Sequence, residues 1–337
     1  MTLTLEQLIP LTKGAAFCDE AEDGIHFHRF TREQEALYDA HERTDFAPKS
    51  RTTAGVRLDF MTDSRTITVD AVSYYGFSYQ TYPHFSFSLL CNGERIGAWG
   101  SHTSPDCSLF ASITLPEGEK RITLHFPWSS VGVLRSLSLD DGATLSPIPS
   151  SRRMIMLGDS ITHGYYASEP HLSYASRIAD ALDADMRNKA IGGEIFFPAL
   201  ADTDDGDFDP EIITVAYGTN DAARTEKDEF EKNCSAFFPL LSARYPKAKI
   251  FALTPIWRPL CEQGDRCRFD FFHVARHMEK AIDPLPNVTL IDGFSFVPHD
   301  THFLWDAVTH PNDEGFVHYA DNLLAKLREH LPTHFFK

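Results

Sequence analysis

Two regimes of hydrophobic patterning meet near residue 150 of the chain. Before that point, apolar residues form short runs or alternate with polar ones, as in Arg121-Ile122-Thr123-Leu124-His125-Phe126, which has the period of a half-buried strand. This pattern predicts strands at Gly24–Phe30, Gly55–Met61, Thr66–Tyr75, His84–Cys91, Arg95–Gly100, Leu109–Leu115, Arg121–Phe126 and Val133–Leu139. Turns fall at Asn92-Gly93, Pro116-Glu117-Gly118 and Asp140-Asp141-Gly142. Helical periodicity is confined to a short stretch at Arg32–His41. Many short strands separated by turns predict a β-sandwich of jelly-roll kind.

After Arg152, strand and helix periods alternate. Strands are predicted at Met154–Leu157, Asp185–Ala190, Ile212–Ala216, Ile250–Leu253 and Val288–Ile291. Helices are predicted at Ser173–Leu182, Phe196–Ala201, Lys227–Arg244, Phe269–Ile282 and Asp313–His330. This alternation is the signature of a parallel sheet with helices on both faces. The Pro/Ser-rich run Leu145–Ser151 separates the regimes. The expected organisation is an all-β sandwich accessory domain over residues 1–148, followed by a three-layer α/β/α domain over 152–337.

Composition narrows the possible partners. A formal charge of −17 argues against a nucleic-acid or anionic-membrane partner, since both need a basic surface. No apolar run approaches the roughly 20 residues of a membrane span, and the N-terminus has neither a basic nor an apolar leader region. A cytoplasmic location is expected. The six scattered cysteines fit a reducing compartment, and no second pair turns Cys261 and Cys267 into a zinc pattern. His299-Asp300-Thr301-His302 reads as a solvated or capping loop, so no metal and no cofactor are expected. The aromatic cluster from Tyr74 to Phe87 reads as sandwich core and turn, or as a sugar-stacking surface.

In a parallel α/β sheet, ligands bind beyond the carboxyl ends of the strands. Four clusters fall there: Gly158-Asp159-Ser160, Asn188 to Gly193, Gly218-Thr219-Asn220-Asp221, and Asp306 to Asn312. Each has a plain structural explanation on its own, for Ser160 the N-cap of the next helix. Together they supply a hydroxyl, a close-approach glycine, a side-chain amide and an imidazole. Those are the parts of an acyl-transfer site.

In that order the four clusters resemble the SGNH hydrolases, also called GDSL esterases. The matching blocks are G-D-S-I-T, the glycine after N-K-A-I-G, G-T-N-D and H-P-N-D-E-G. The resemblance covers the chain from Arg152 onward and implies a flavodoxin-like domain without a cofactor. It implies that Ser160 is the nucleophile and His310 the general base. The backbone N–H groups of Ser160 and Gly193, with the side-chain amide of Asn220, would form the oxyanion hole. The family's orienting Asp stands three residues before the His, where this chain has Ala307. Asp306, four residues before His310, orients the ring if the loop bulges; otherwise a backbone carbonyl does so.

Asp159, Trp257 and Arg258 are candidate pocket residues, with core packing an equal alternative for Trp257. The aromatic turn near Tyr79–Tyr82 is a candidate roof. The β-rich first half is similar in architecture to SGNH enzymes with an N-terminal jelly roll, among them family-2 carbohydrate esterases and a polyketide acyltransferase branch. The resemblance therefore implies a serine esterase acting on a short acyl ester, acetyl foremost, of a carbohydrate or small alcohol. An acyltransferase using the same serine, and a carbohydrate-binding protein with an inactive SGNH domain, are the alternatives. The acyl group, the alcohol and association into a homo-oligomer are left open.

Overall fold

The computed structural model describes residues 1–75, 85–101, 108–203, 205–259, 261 and 267–336. The Tyr79–Tyr82 turn and the first residue of the His84–Cys91 strand lie outside the described residues.

Among the described residues the chain forms three sheets. Two are antiparallel and belong to the first half. One contains β1 (Thr12–Lys13), β4 (Arg57–Thr62), β6 (Phe85–Cys91), β7 (Glu94–Ser101) and β9 (Lys120–His125), in the order β1-β4-β9-β6-β7. The other contains β2 (Phe17–Ala21), β3 (Gly24–His28), β5 (Thr66–Tyr75), β8 (Ser108–Thr114) and β10 (Ser130–Leu139), in the order β2-β3-β10-β5-β8. Their inner faces share one apolar core, with Leu58, Phe60, Ile122 and Leu124 from one sheet and Ile67, Val69, Leu134 and Leu137 from the other. This is a β-sandwich. The pair β2–β3 includes a strand the apolar pattern missed, because Asp19 and Glu20 interrupt it before the chain turns back at Glu22-Asp23.

The half-buried reading of Arg121–Phe126 needs correction. Ile122 and Leu124 enter the sandwich core as expected, yet Thr123 and His125 on the opposite face are also buried. Residues of the second half cover that face. Ser88 meets His171, Arg95 pairs with Glu169, and Arg57 pairs with Asp180 and donates to the carbonyl of Ala184. Alternation reported the strand's period correctly, but what its polar face meets is set by tertiary contact. Beneath this interface Asp59 is fully buried, bonded by Lys13 and Arg121 at 2.7 Å each.

The third sheet is parallel and contains β12 (Arg152–Gly158), β13 (Ala184–Asn188), β14 (Ile212–Ala216), β15 (Lys249–Leu253) and β16 (Val288–Ile291), with β11 (Ser146–Pro147) pairing back onto β4 ahead of it. Its order is β13-β12-β14-β15-β16, the doubly wound order with a switch point between β12 and β14. Met154 to Leu157 are buried on both faces, as a central strand covered by helices requires. Successive strands are added on opposite sides of β12, β13 on one side and β14 on the other, so the crevice opens above its carboxyl end, next to Ser160. The core around this sheet also takes in Phe30, Tyr38, Phe46, Ala54 and Trp128 from the first half. Residues 29–54 thus lie against the α/β layer rather than within the sandwich.

Candidate active site

Ser160 opens a four-residue helix directly after β12, and its hydroxyl lies 2.7 Å from His310 Nε2. The cap of that helix is Asp159, whose carboxyl accepts the Ile161 N–H at 3.0 Å, which leaves the Ser160 hydroxyl for His310. On the far side of the ring, His310 Nδ1 lies 2.6 Å from Asp306 Oδ2. A carboxylate facing Nδ1 fixes the proton there, so Nε2 accepts from the serine hydroxyl.

Asp306 reaches the ring because the loop is looped back on itself. A bridge pairs Leu304 with Pro311, and the Trp305 N–H donates to the His310 carbonyl at 2.8 Å. Between these ties Ala307 takes a left-handed conformation with φ 55°, which absorbs the extra residue. The second oxygen of Asp306 accepts from the backbone N–H groups of Val308, Thr309 and His310. Burial alone would raise the pKa of this carboxyl. The hydrogen bond and charge of His310, with the backbone donors, outweigh burial and hold it well below the usual carboxylate range. Tyr165 stacks on the imidazole at 5.7 Å between centroids, and Tyr166 meets its edge at 5.0 Å, so the ring is held from several sides.

Gly193 and Asn220 arrive from the neighbouring strands. Gly193 has φ 88°, a conformation that a side chain strains, and a Cβ there would lie 2.9 Å from Arg224 Nη1. Among the described residues, neither its N–H nor that of Ser160 donates a hydrogen bond within the protein. Asn220 uses one N–H of its amide on the Glu194 carbonyl at 3.0 Å, which orients the group and leaves its second N–H to the cavity. Ser160, Gly193, Asn220 and His310 all line one cavity of about 450 Å³.

Residues from the first half hold the Asn188–Glu194 loop in place. Arg29, fully buried, donates to the carbonyls of Asn188, Ala190, Lys49 and Thr52. Lys49 Nζ donates to the Gly192 carbonyl at 2.8 Å, and Arg43 to the Gly193 carbonyl at 3.1 Å. His163 supports the loop from below. Its Nδ1 accepts the Gly192 N–H, its Nε2 faces the Trp128 carbonyl, and burial keeps the ring neutral. Glu194 lies between the hydroxyls of Tyr38 and Tyr217, and burial pushes its carboxyl up to about 8. Asp221 accepts the N–H groups of Phe196 and Gly218, tying the Gly193 and Asn220 loops together; burial pushes it up to about 7.

The other candidate pocket residues divide. Arg258 lines the cavity. Trp257 does not; it is buried in the core and stacked on His299 at 5.2 Å. Asp159 is 2% exposed and turned to its capping role, so it is a positioning group beneath the site rather than a wall of it. Pattern reading missed Arg43, Lys49, Tyr165 and Arg224. Only Arg224 had a usable signal, standing four residues after Asn220 on the helix Thr219–Arg224 and hence on the same face. Among the described residues, Glu231, His273 and His277 form a group able to hold a metal ion, with ligand atoms within 4.8 Å of one another.

The fold and the constellation at its sheet edge place the molecule among the α/β carboxylic ester hydrolases, the class of acyl esterases and acyltransferases. Residues 156–316 match the GDSL-like Lipase/Acylhydrolase family. None of the curated proteins matches the chain by sequence. Solved structures share the whole architecture at low identity. The salicylyl-acyltransferase SsfX3 of a tetracycline biosynthetic pathway superposes with a TM-score of 0.78 at 21% identity, covering 94% of each chain. A family two carbohydrate esterase from Cellvibrio japonicus has a TM-score of 0.68 at 16% identity, over 98% of this chain and 97% of that one. A family two carbohydrate esterase from Clostridium thermocellum, solved with cellohexaose, has a TM-score of 0.65 at 15% identity, over 82% and 93%.

Proposed function

We propose that the chain is a serine esterase that removes a short acyl group, acetyl foremost, from a carbohydrate or related alcohol. One observation carries the reading: the continuous hydrogen-bonded series Ser160 Oγ, His310, Asp306, with contacts of 2.7 and 2.6 Å. Ser160 attacks the ester carbonyl while His310 Nε2 takes its proton, and Asp306 stabilises the resulting imidazolium. The negative charge that develops on the carbonyl oxygen meets the N–H groups of Ser160 and Gly193 and the amide of Asn220. The C–O bond to the alcohol breaks as His310 returns the proton to the leaving oxygen. Water, activated by the same imidazole, then releases the acid from Ser160.

The carbohydrate assignment is supported by the two family two carbohydrate esterases whose fold this chain shares. Transfer to a second alcohol instead of water is the alternative, favoured by the likeness to the salicylyl-acyltransferase over 94% of the chain. A chromogenic acetyl ester and a fluorophosphonate probe test the core of the proposal. Turnover and covalent labelling are expected in the wild type and absent in Ser160→Ala. Activity that survives the substitution refutes the mechanism. Product analysis with a sugar acceptor separates hydrolysis from transfer.

A further inference from the structure

The chain carries a formal charge of −17, yet the wall of its catalytic cavity is basic. Arg43, Lys49, Arg224 and Arg258 line it, and among the described residues Asp45 is the one carboxylate in the same wall. That carboxylate is already engaged, by Arg43 at 3.0 Å and by Lys49 at 2.5 Å. Lys49 is further committed to the Gly192 carbonyl. Two guanidiniums then converge on one oxygen: Arg43 and Arg224 both donate through Nη1 to the Gly193 carbonyl, at 3.1 and 3.2 Å. Two guanidiniums held side by side at the mouth of the cavity present hydrogen-bond donors and positive potential to an incoming anion.

Arg258 adds an independent observation. It is 6% exposed, faces the ring of Phe271 at 4.9 Å and donates from one Nη to Cys267 Sγ at 3.3 Å. Its Nε has no hydrogen-bond partner, and no carboxylate pairs with it among the described residues. A buried guanidinium short of acceptors in the wall of a reaction cavity is a half-made site. Its planar fork matches the two oxygens of a carboxylate. A neutral acetyl group on a neutral sugar would leave this charge unanswered.

We propose that the ester taken by this cavity bears a carboxylate, received by Arg258 and Arg224. The inference rests on the esterase reading above and narrows its substrate to acidic esters. The carboxylate has two possible sources: the acyl side, as in a half-ester of a dicarboxylic acid, or the alcohol side, as in an acetylated uronic acid.

Two matched pairs of esters distinguish these sources. Mono-4-nitrophenyl glutarate against 4-nitrophenyl butyrate tests the acyl side. Acetylated methyl glucuronoside against acetylated methyl glucoside tests the alcohol side. The anionic member of one pair is expected to have a kcat/KM at least tenfold above its neutral counterpart. Arg224→Gln and Arg258→Gln should each lower that ratio tenfold or more, and added salt should lower it as well. The pair that shows the preference identifies the side. Ratios near one for both pairs, or a ratio that neither variant moves, overturn the proposal. Arg224 is exposed, so its variant decides the matter alone if Arg258→Gln does not fold.

Calorimetry with glutarate and methyl glucuronoside keeps the test separate from turnover. Binding of one of these anions to the intact protein, weakened tenfold in Arg224→Gln, supports the anion site even if every ester is inert, a result that would strike only the esterase reading. Failure of both anions to bind a protein that shows no kinetic preference overturns the anion site.

Discussion

Asp306 holds His310 across an interval of four residues, and the left-handed turn at Ala307 makes that interval workable. The same carboxylate closes the turn by accepting three consecutive backbone N–H groups. One side chain therefore shapes the loop and orients the base within it.

Asp306→Asn is expected to lower kcat by roughly 10³- to 10⁴-fold, since an amide no longer fixes the proton on Nδ1. KM should change little, because Asp306 does not line the cavity. Steady-state kinetics on the chromogenic ester give the answer. A loss below about tenfold would transfer the orienting role to a backbone group.

Asn220→Ala removes a donor aimed at the developing oxyanion, and kcat should fall about 10²- to 10³-fold with KM nearly constant. A matching rise in KM would instead make Asn220 a ground-state binding group.

The buried acids set a pH dependence of stability. Glu194 and Asp221 are pushed up to about 8 and 7, and Asp159 to about 6, by burial. In the unfolded chain such groups ionise near pH 4. Between that pH and their folded values the native state binds more protons than the unfolded state, so stability falls as pH rises. Each group contributes a slope of up to about 1.4 kcal/mol per pH unit over its own window. Chemical denaturation from pH 4.5 to 8.5 should show this decline, and Glu194→Gln should flatten its upper part. An unchanged slope in that variant would mean that Glu194 is ionised at neutral pH.

Asp59→Asn leaves Lys13 buried without its counter-ion and weakens the hold on Arg121. A loss of about 3 kcal/mol is expected in urea denaturation. Activity per folded molecule should be retained, because Asp59 lies at the interface of the two halves and not in the cavity.

Arg29→Lys keeps the charge and loses the planar fork that reaches four carbonyls, so one ammonium must serve oxygens on both halves of the chain. A stability loss of about 2 kcal/mol is expected together with a drop in kcat, as the Gly193 loop loosens. Stability loss with kcat intact would confine Arg29 to a structural role.

The parallel sheet was legible because its central strands, such as Met154–Leu157 and Ile250–Leu253, are covered on both faces and therefore read as unbroken apolar runs. The polar clusters that follow them were legible for the same topological reason: strands running in one direction deliver their ends to one edge. The other wall of the cavity was not legible. Arg43 and Lys49 sit in a stretch with no strand period and only the five-residue helix Phe46–Ser50, and they matter only through contacts with Gly192 and Gly193 some 150 residues away. The Asp306–His310 contact was undecided for a related reason. Sequence spacing states how many residues separate two groups, whereas a single positive φ at Ala307 decides whether they meet.

The grip of Arg29 on the carbonyls of Asn188 and Ala190 makes the sandwich half a working part of the hydrolase half. A fragment of residues 152–337 would keep Ser160, His310 and Asp306. It would lose Arg29, Arg43 and Lys49, and with them the braces on the loop that presents Gly193. Cut between the halves, the protein becomes a two-piece assembly in which recovery of turnover on mixing reports the rejoining of the pieces.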